Sequence, residues 1–210
     1  MTIGIMGTKI GMTQIFDGNG LAIPVTIIKA GPCFVTQKKI IDKHGYDAIQ
    51  VGYKIVKPNK LNKPLNGHLT KAGLNPLKYL REYRVNHSDI SLNVGDSISI
   101  DQLKIGDYVN ITGNSIGKGF ASTRKRHNFN YGPMTHGSKN HRAPGSIGAG
   151  TTPGRVIPNK RMAGRLGNQR TTIKNLEVIN INTDDNLLII KGAVPGKRGN
   201  LLSIQAGKNE

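Results

Sequence analysis

The chain has 210 residues, with 30 Lys+Arg against 12 Asp+Glu and a formal charge of +18, and is long enough for one good core or a core with an elaborate insertion. Such an excess destabilises a compact fold by self-repulsion unless a polyanion neutralises it, which puts nucleic acid first among partners and an anionic membrane second. The membrane reading is poor, because no apolar run approaches the roughly 20 residues of a spanning helix and no basic stretch carries apolar residues at steady helical spacing.

In chain order, residues 1–16 are interrupted by Lys9 and by Gly4, Gly7 and Gly11. They lack the ~7–15-residue apolar segment of a secretory signal and read as core-like sequence with no transit peptide ahead of the fold. Short strands are predicted over 21–28, 33–38, 48–53 and 97–100, then over 171–181, 186–191 and 201–204, where β-branched residues partly alternate with polar ones. Turn signals at Asp17-Gly-Asn-Gly20, Thr183-Asp-Asp-Asn186 and Pro195-Gly196 separate them. Cys33, alone of its kind, reads as a small buried hydrophobe on a strand in a reducing compartment. Helical signal is modest: one or two turns within 58–73, and a short helix over 119–127. The fold class is mainly β with minor α. The expected body spans 1–112 and 168–210, with an inserted irregular α/β lobe at 57–95.

The intervening stretch, 113–167, is different in kind. From Tyr108 to Leu176 there is no acidic residue, while twelve Lys and Arg occur; the other 141 residues are nearly balanced at +6. From His127 to Gly154 only Phe129, Tyr131, Met134 and Ile147 offer sizeable apolar surface among many Gly and Pro. Such a segment cannot bury enough apolar area to offset its ordering entropy. A loop this long is either disordered or functional, and a floppy linker rarely mixes Arg, His, aromatic and Gly residues this densely. Gly lets a backbone approach phosphates closely, and Arg offers bidentate donors to phosphate and a flat face for unpaired bases. The candidate RNA-binding residues are Lys118, Arg124, Lys125, Arg126, His127, His136, Lys139, His141, Arg142, Arg155, Lys160, Arg161, Arg165 and Arg170.

No catalytic constellation is legible. The run Gly113-Asn-Ser-Ile-Gly117-Lys118-Gly119 has the look of a phosphate loop, but one residue is missing from its spacing and Gly119 stands where a magnesium-binding Ser or Thr is needed. His136 and His141 lack a Cys or carboxylate to complete a zinc site. The His-rich region has no acid to orient a base. No catalytic residue, metal, cofactor or small-molecule substrate is expected.

Several motifs resemble those of ribosomal protein three of the large subunit. Lys9-Ile-Gly-Met-Thr-Gln-Ile-Phe16 looks like that family's opening, and Gly117-Lys-Gly-Phe-Ala121 with Lys125-Arg126 like the entry to its arm. His136-Gly-Ser-Lys-Asn-His-Arg-Ala-Pro-Gly-Ser-Ile-Gly148 and Thr152-Pro-Gly-Arg-Val156 resemble the tip and return, Lys160-Arg-Met-Ala-Gly-Arg-Leu-Gly167 the exit, and Lys191-Gly-Ala-Val-Pro-Gly196 a closing motif. One departure is Ser122, where a Gly is expected. The resemblance implies a six-stranded barrel of the translation-protein type with the arm as an insertion. It implies direct binding to large-subunit rRNA of the 23S type, early in assembly and near its 3′ region, with the arm's tip approaching the peptidyl transferase centre. It also implies the large-subunit proteins numbered fourteen and nineteen as neighbours. The wording is closest to cyanobacterial and plastid members, and twenty Lys to ten Arg fits an AT-rich genome; the expected location is the plastid stroma, with the bacterial cytoplasm as the alternative. A general nucleic-acid-packaging protein shares the charge and is the competing reading; an RNA-modifying enzyme lacks its acid–base cluster.

Overall fold

The computed structural model describes residues 4–85 and 92–207. The chain divides into two compact units, Met1–Asn114 with Arg170–Glu210, and Ser115–Gln169. The strands, in order, are β1 (Ile5–Phe16), β2 (Ala22–Ala30), β3 (Cys33–Lys39), β4 (Ala48–Ile55), β5 (Leu77–Arg84), β6 (Ser97–Ile98) and β7 (Tyr108–Asn114). They continue as β8 (Phe120–Ala121), β9 (Gly164–Arg165), β10 (Arg170–Asn182), β11 (Leu187–Lys191) and β12 (Leu201–Ala206).

In the first unit, six strands pair antiparallel in the circuit β1-β12-β7-β10-β11-β2, and β2 returns to β1, so the sheet closes on itself. Local chemistry sets the register. The Asp17 carboxylate accepts from the Asn19 and Leu21 amides at 2.9 and 2.8 Å, which folds the β1–β2 turn. The Asn182 side chain accepts from the Asp184 and Asp185 amides at 3.0 and 3.3 Å, which folds the β10–β11 turn. Alternation then selects the inward face: Leu188 and Ile190 on β11, Val109 and Ile111 on β7, and Leu202 and Ile204 on β12 are all buried.

A second sheet, ordered β5-β4-β3-β6, belongs to the same unit and shares its core. Two tyrosines join the sheets. Tyr53 on β4 donates to the Lys29 carbonyl at 3.0 Å, and the Tyr83 hydroxyl on β5 meets that of Ser203 at 2.8 Å. A Cβ at Gly4 would collide with the Tyr83 ring. Helix α1 (Ile41–His44) caps the β3–β4 connection, and α2 (Lys63–Lys71) follows a 3-10 turn at Pro58–Lys60. The α2 residue His68 bonds Gln50 of β4 at 2.8 Å, and Leu69 is its buried residue.

The expected strands within this unit are present, with ends moved by one or two residues, except that 97–100 yields only Ser97–Ile98 before a 3-10 turn at Ile100–Gln102. The lobe is more regular than expected: β5 pairs with β4 from Leu77 to Arg84. Its four charged residues, Lys78, Arg81, Glu82 and Arg84, mask the alternation that buries Leu77 and Tyr83. Residues 86–91 of the lobe lie outside the described residues. β1 and β7 were not anticipated as strands; glycines interrupt the first, and Asn110, Thr112 and Asn114 dilute the second.

Candidate nucleic-acid interface

The second unit, Ser115–Gln169, is held at its base by a short backbone ladder. The Ser115 amide donates to the Gln169 carbonyl at 2.9 Å, Lys118 to Leu166 at 2.9 Å, and Leu166 to Gly119 at 3.0 Å. β8 and β9 continue it, pairing Phe120 with Arg165 and Ala121 with Gly164. The close approach requires Gly167: its φ is +75°, and a Cβ there would run into the Ile116 carbonyl. Because Phe120–Ala121 is strand, the helix expected over 119–127 shortens to α3 (Thr123–His127). Asn128 ends it in the left-handed region at φ 59°, with its amide on the Arg124 carbonyl at 2.9 Å.

The helix distributes four cationic or titratable side chains. Arg126 donates through Nη1 to the Met162 carbonyl at 2.9 Å, and His127 donates through Nε2 to the same oxygen at 3.1 Å. The Arg126 guanidinium lies against Gly164, where a Cβ would not fit. Arg124 turns the other way and lies over the Tyr131 ring, with the Arg142 guanidinium 6.0 Å from the same ring centroid. Arg124 and Lys125 also line an open hollow with Ser122, Asn128, Phe129 and Asn130. Further along, the Gly132 amide donates to the His141 carbonyl at 3.2 Å, and His141 Nδ1 donates to Pro133 at 3.0 Å. His141 therefore holds the loop as well as presenting an edge.

The structure thus gathers Arg124, His141 and Arg142 about the Tyr131–Pro133 bend, and Arg126 and His127 at Met162. Lys118, Lys125, His136, Lys139, Arg155, Lys160, Arg161 and Arg165 stand exposed outside these two groups. Arg170 opens β10 and belongs to the first unit. Tyr131 as the seat of Arg124 was missed; its place between two arginines was the available signal. Only Ala121 and Thr123 of the unit are buried, whereas Phe120 is 80% exposed and Met134 58%. Ten Lys and Arg share the unit with no carboxylate, whereas the first unit holds ion pairs such as Lys39–Glu82 at 2.8 Å and Lys191–Glu177 at 3.1 Å. Among the described residues no group of three or more His, Cys, Asp or Glu is placed to hold a metal, and no helix is long and apolar enough to cross a membrane.

A family model described as Ribosomal protein L3 matches residues 84–187. "Large ribosomal subunit protein uL3c" of Phaeodactylum tricornutum is 59% identical over 204 residues, covering 97% of this chain and 98% of the relative. The chain belongs to the ribosomal protein L3 family. Other L3 relatives match as fully. "Large ribosomal subunit protein uL3c" of Porphyra purpurea is 57% identical over 97% of this chain and 99% of its own. "Large ribosomal subunit protein uL3" of Trichormus variabilis is 59% identical over 99% and 98%. The L3 proteins are structural constituents of the large ribosomal subunit, whose rRNA and other proteins supply the partners of this chain.

Proposed function

We propose that the second unit is an RNA-penetrating arm through which the chain binds large-subunit rRNA of the 23S type, nucleates early assembly and supports the region near the peptidyl transferase centre. The observation that carries this is a unit with ten cations, no acid and two buried residues. Folding such a unit against water leaves its charge and its aromatic faces unused; packing it into folded RNA neutralises the first and covers the second. The RNA contacts are those named from sequence, with Arg124, Lys125 and Arg126 as the main anchor. In this reading the closed six-stranded sheet is the translation-protein-type barrel, 57–95 is its inserted lobe, and the neighbours include the large-subunit proteins numbered fourteen and nineteen. The plastid stroma is the proposed location, with the bacterial cytoplasm as the alternative: uL3c and cyanobacterial uL3 relatives match almost equally, and twenty Lys to ten Arg fits an AT-rich genome.

The test is the salt dependence of binding to an rRNA fragment. With roughly eight phosphates contacted, log affinity falls against log salt with a slope of about −6 to −7. A slope near −1 would refute this reading, and competition by duplex DNA as effective as by rRNA would replace it by general nucleic-acid packaging. Arg124→Ala, Lys125→Ala and Arg126→Ala together leave the first unit folded and reduce incorporation into large subunits, read by sedimentation of the tagged protein.

A further inference from the structure

The first unit contains a hollow of about 420 Å³ that opens where β5 faces β7, β10 and β12, with Arg81, Arg170, Asn114, Asn200 and Ser203 among its lining residues. Arg170 and Asn114 are the two residues that flank the arm in sequence, and they are register partners across β10 and β7. Arg81 comes from a different sheet, on a strand that sequence patterning did not reveal. Both arginines are exposed, and both act on the buried hydroxyl of Tyr83. Burial pushes that group up to about 12, while the Ser203 hydrogen bond and the two guanidiniums pull the other way. The Asn200 amide donates to the Asn114 carbonyl at 3.0 Å, which fixes one wall.

The single carboxylate in the lining is directed elsewhere. Alternation on β5 sets Glu82 opposite Arg81 and Tyr83, and its side chain is engaged by Lys39 at 2.8 Å, Tyr46 at 2.8 Å and Gln50 at 3.3 Å. The hollow is therefore lined by two arginines, of which Arg81 donates through Nη1 to the Leu80 carbonyl at 3.3 Å and keeps its other donors, by amide and hydroxyl groups, and by no free negative charge. That set matches a phosphodiester, whose oxygens accept bidentate arginine donors while its ribose bonds amides and hydroxyls.

The geometry points to a second RNA-backbone site in the first unit, in which Arg81 and Arg170 clamp a phosphate of the rRNA. This rests on the proposed rRNA-binding reading and deepens it: the chain holds its RNA at two separate places, one of them on a rigid sheet.

The experiment compares the full chain with the double variant Arg81→Ala, Arg170→Ala and with the arm triple variant, each titrated with the same rRNA fragment across salt. Loss of that one phosphate contact makes the slope shallower by about 0.7 to 0.9, and the pair Arg81→Lys, Arg170→Lys keeps the wild-type slope because charge sets counterion release. A double alanine variant with the wild-type slope, beside a triple variant whose slope is shallower, overturns the second site and leaves the arm's function standing. A lysine pair whose slope is as shallow as that of the alanine pair also overturns it, since phosphate charge would then not be what the two positions read. Inorganic phosphate at matched ionic strength competes for the clamp and narrows the difference between wild type and the alanine pair, whereas a difference that appears only with phosphate present makes the hollow a site for the free anion and overturns the assignment. A wild-type slope near −1 sinks the functional reading itself.

Discussion

Two buried side chains in the first unit, Lys9 and Cys33, show how single residues are held. Lys9 of β1 is 9% exposed, and its Nζ donates to the Val194 and Gly196 carbonyls at 3.0 and 3.2 Å. Burial lowers its pKa. The lysine thus satisfies the turn before β12 from the inside, although in sequence it looked like an interruption of an apolar run. Lys9→Met leaves both carbonyls without that partner and is expected to cost about 1–3 kcal/mol, seen as a lower urea midpoint with an unchanged m-value. Cys33 is fully buried, receives the Met6 amide at Sγ at 3.3 Å, and is pushed up to about 11 by burial. Its thiolate is scarce at neutral pH. Iodoacetamide should therefore leave the folded chain unmodified and alkylate it once denaturant is added; labelling of the native protein at the unfolded rate would refute the packing. That residue was legible from sequence because an apolar, β-branched neighbourhood leaves a lone cysteine few other roles. The Lys9 contact was not, because its acceptors lie almost the whole chain away.

At the scale of elements, strands report on their partners. Lys39 on β3 and Tyr46 both bond Glu82 on β5 across β4, so the pair staples the outer strand of the second sheet. The Lys39 hydrogen bond, first among the causes, lowers the Glu82 pKa. A carboxylate with a depressed folded pKa contributes stability above its unfolded pKa, about 4.3, and loses it as pH falls through the folded value. The stability gap between wild type and Glu82→Gln should accordingly be constant near neutrality and close below about pH 4.3, followed by thermal unfolding. In the arm's base, Gly167→Ala must accommodate a methyl against the Ile116 carbonyl at a positive φ. Hydrogen exchange should then speed at the Lys118 and Leu166 amides while core amides such as that of Ile111 keep their protection. β5 was illegible because a charged strand at a sheet edge obeys pairing rather than hydrophobic period. The truncated α3 was missed for a related reason: β9, some forty residues later, claims Phe120 and Ala121.

For the whole molecule, the register of Asn114 with Arg170 makes the second unit removable in principle. An Asn-Gly turn joining those residues would close β7 and β10 as an ordinary hairpin. Such a deletion should unfold in one cooperative transition, because the shared core of the two sheets draws no residue from Ser115–Gln169. Its affinity for an rRNA fragment should fall, with a much shallower salt slope, and calorimetry with salt titration checks both. Retention of the wild-type slope would place the RNA contacts in the first unit instead.

Composition by itself determined that one stretch of this chain carries most of the charge, no acid and too little apolar surface to collapse, because charge and hydrophobicity are additive along a sequence. Ordered motifs also disclosed the family, and β-branched alternation disclosed most strands of the first unit. Only the tertiary structure decided which strands close into a circuit, which lysine is buried, and that Arg81 lines the same hollow as Arg170. Those facts depend on pairing between segments far apart in the chain, and local preference contains no information about which distant partner a strand will meet.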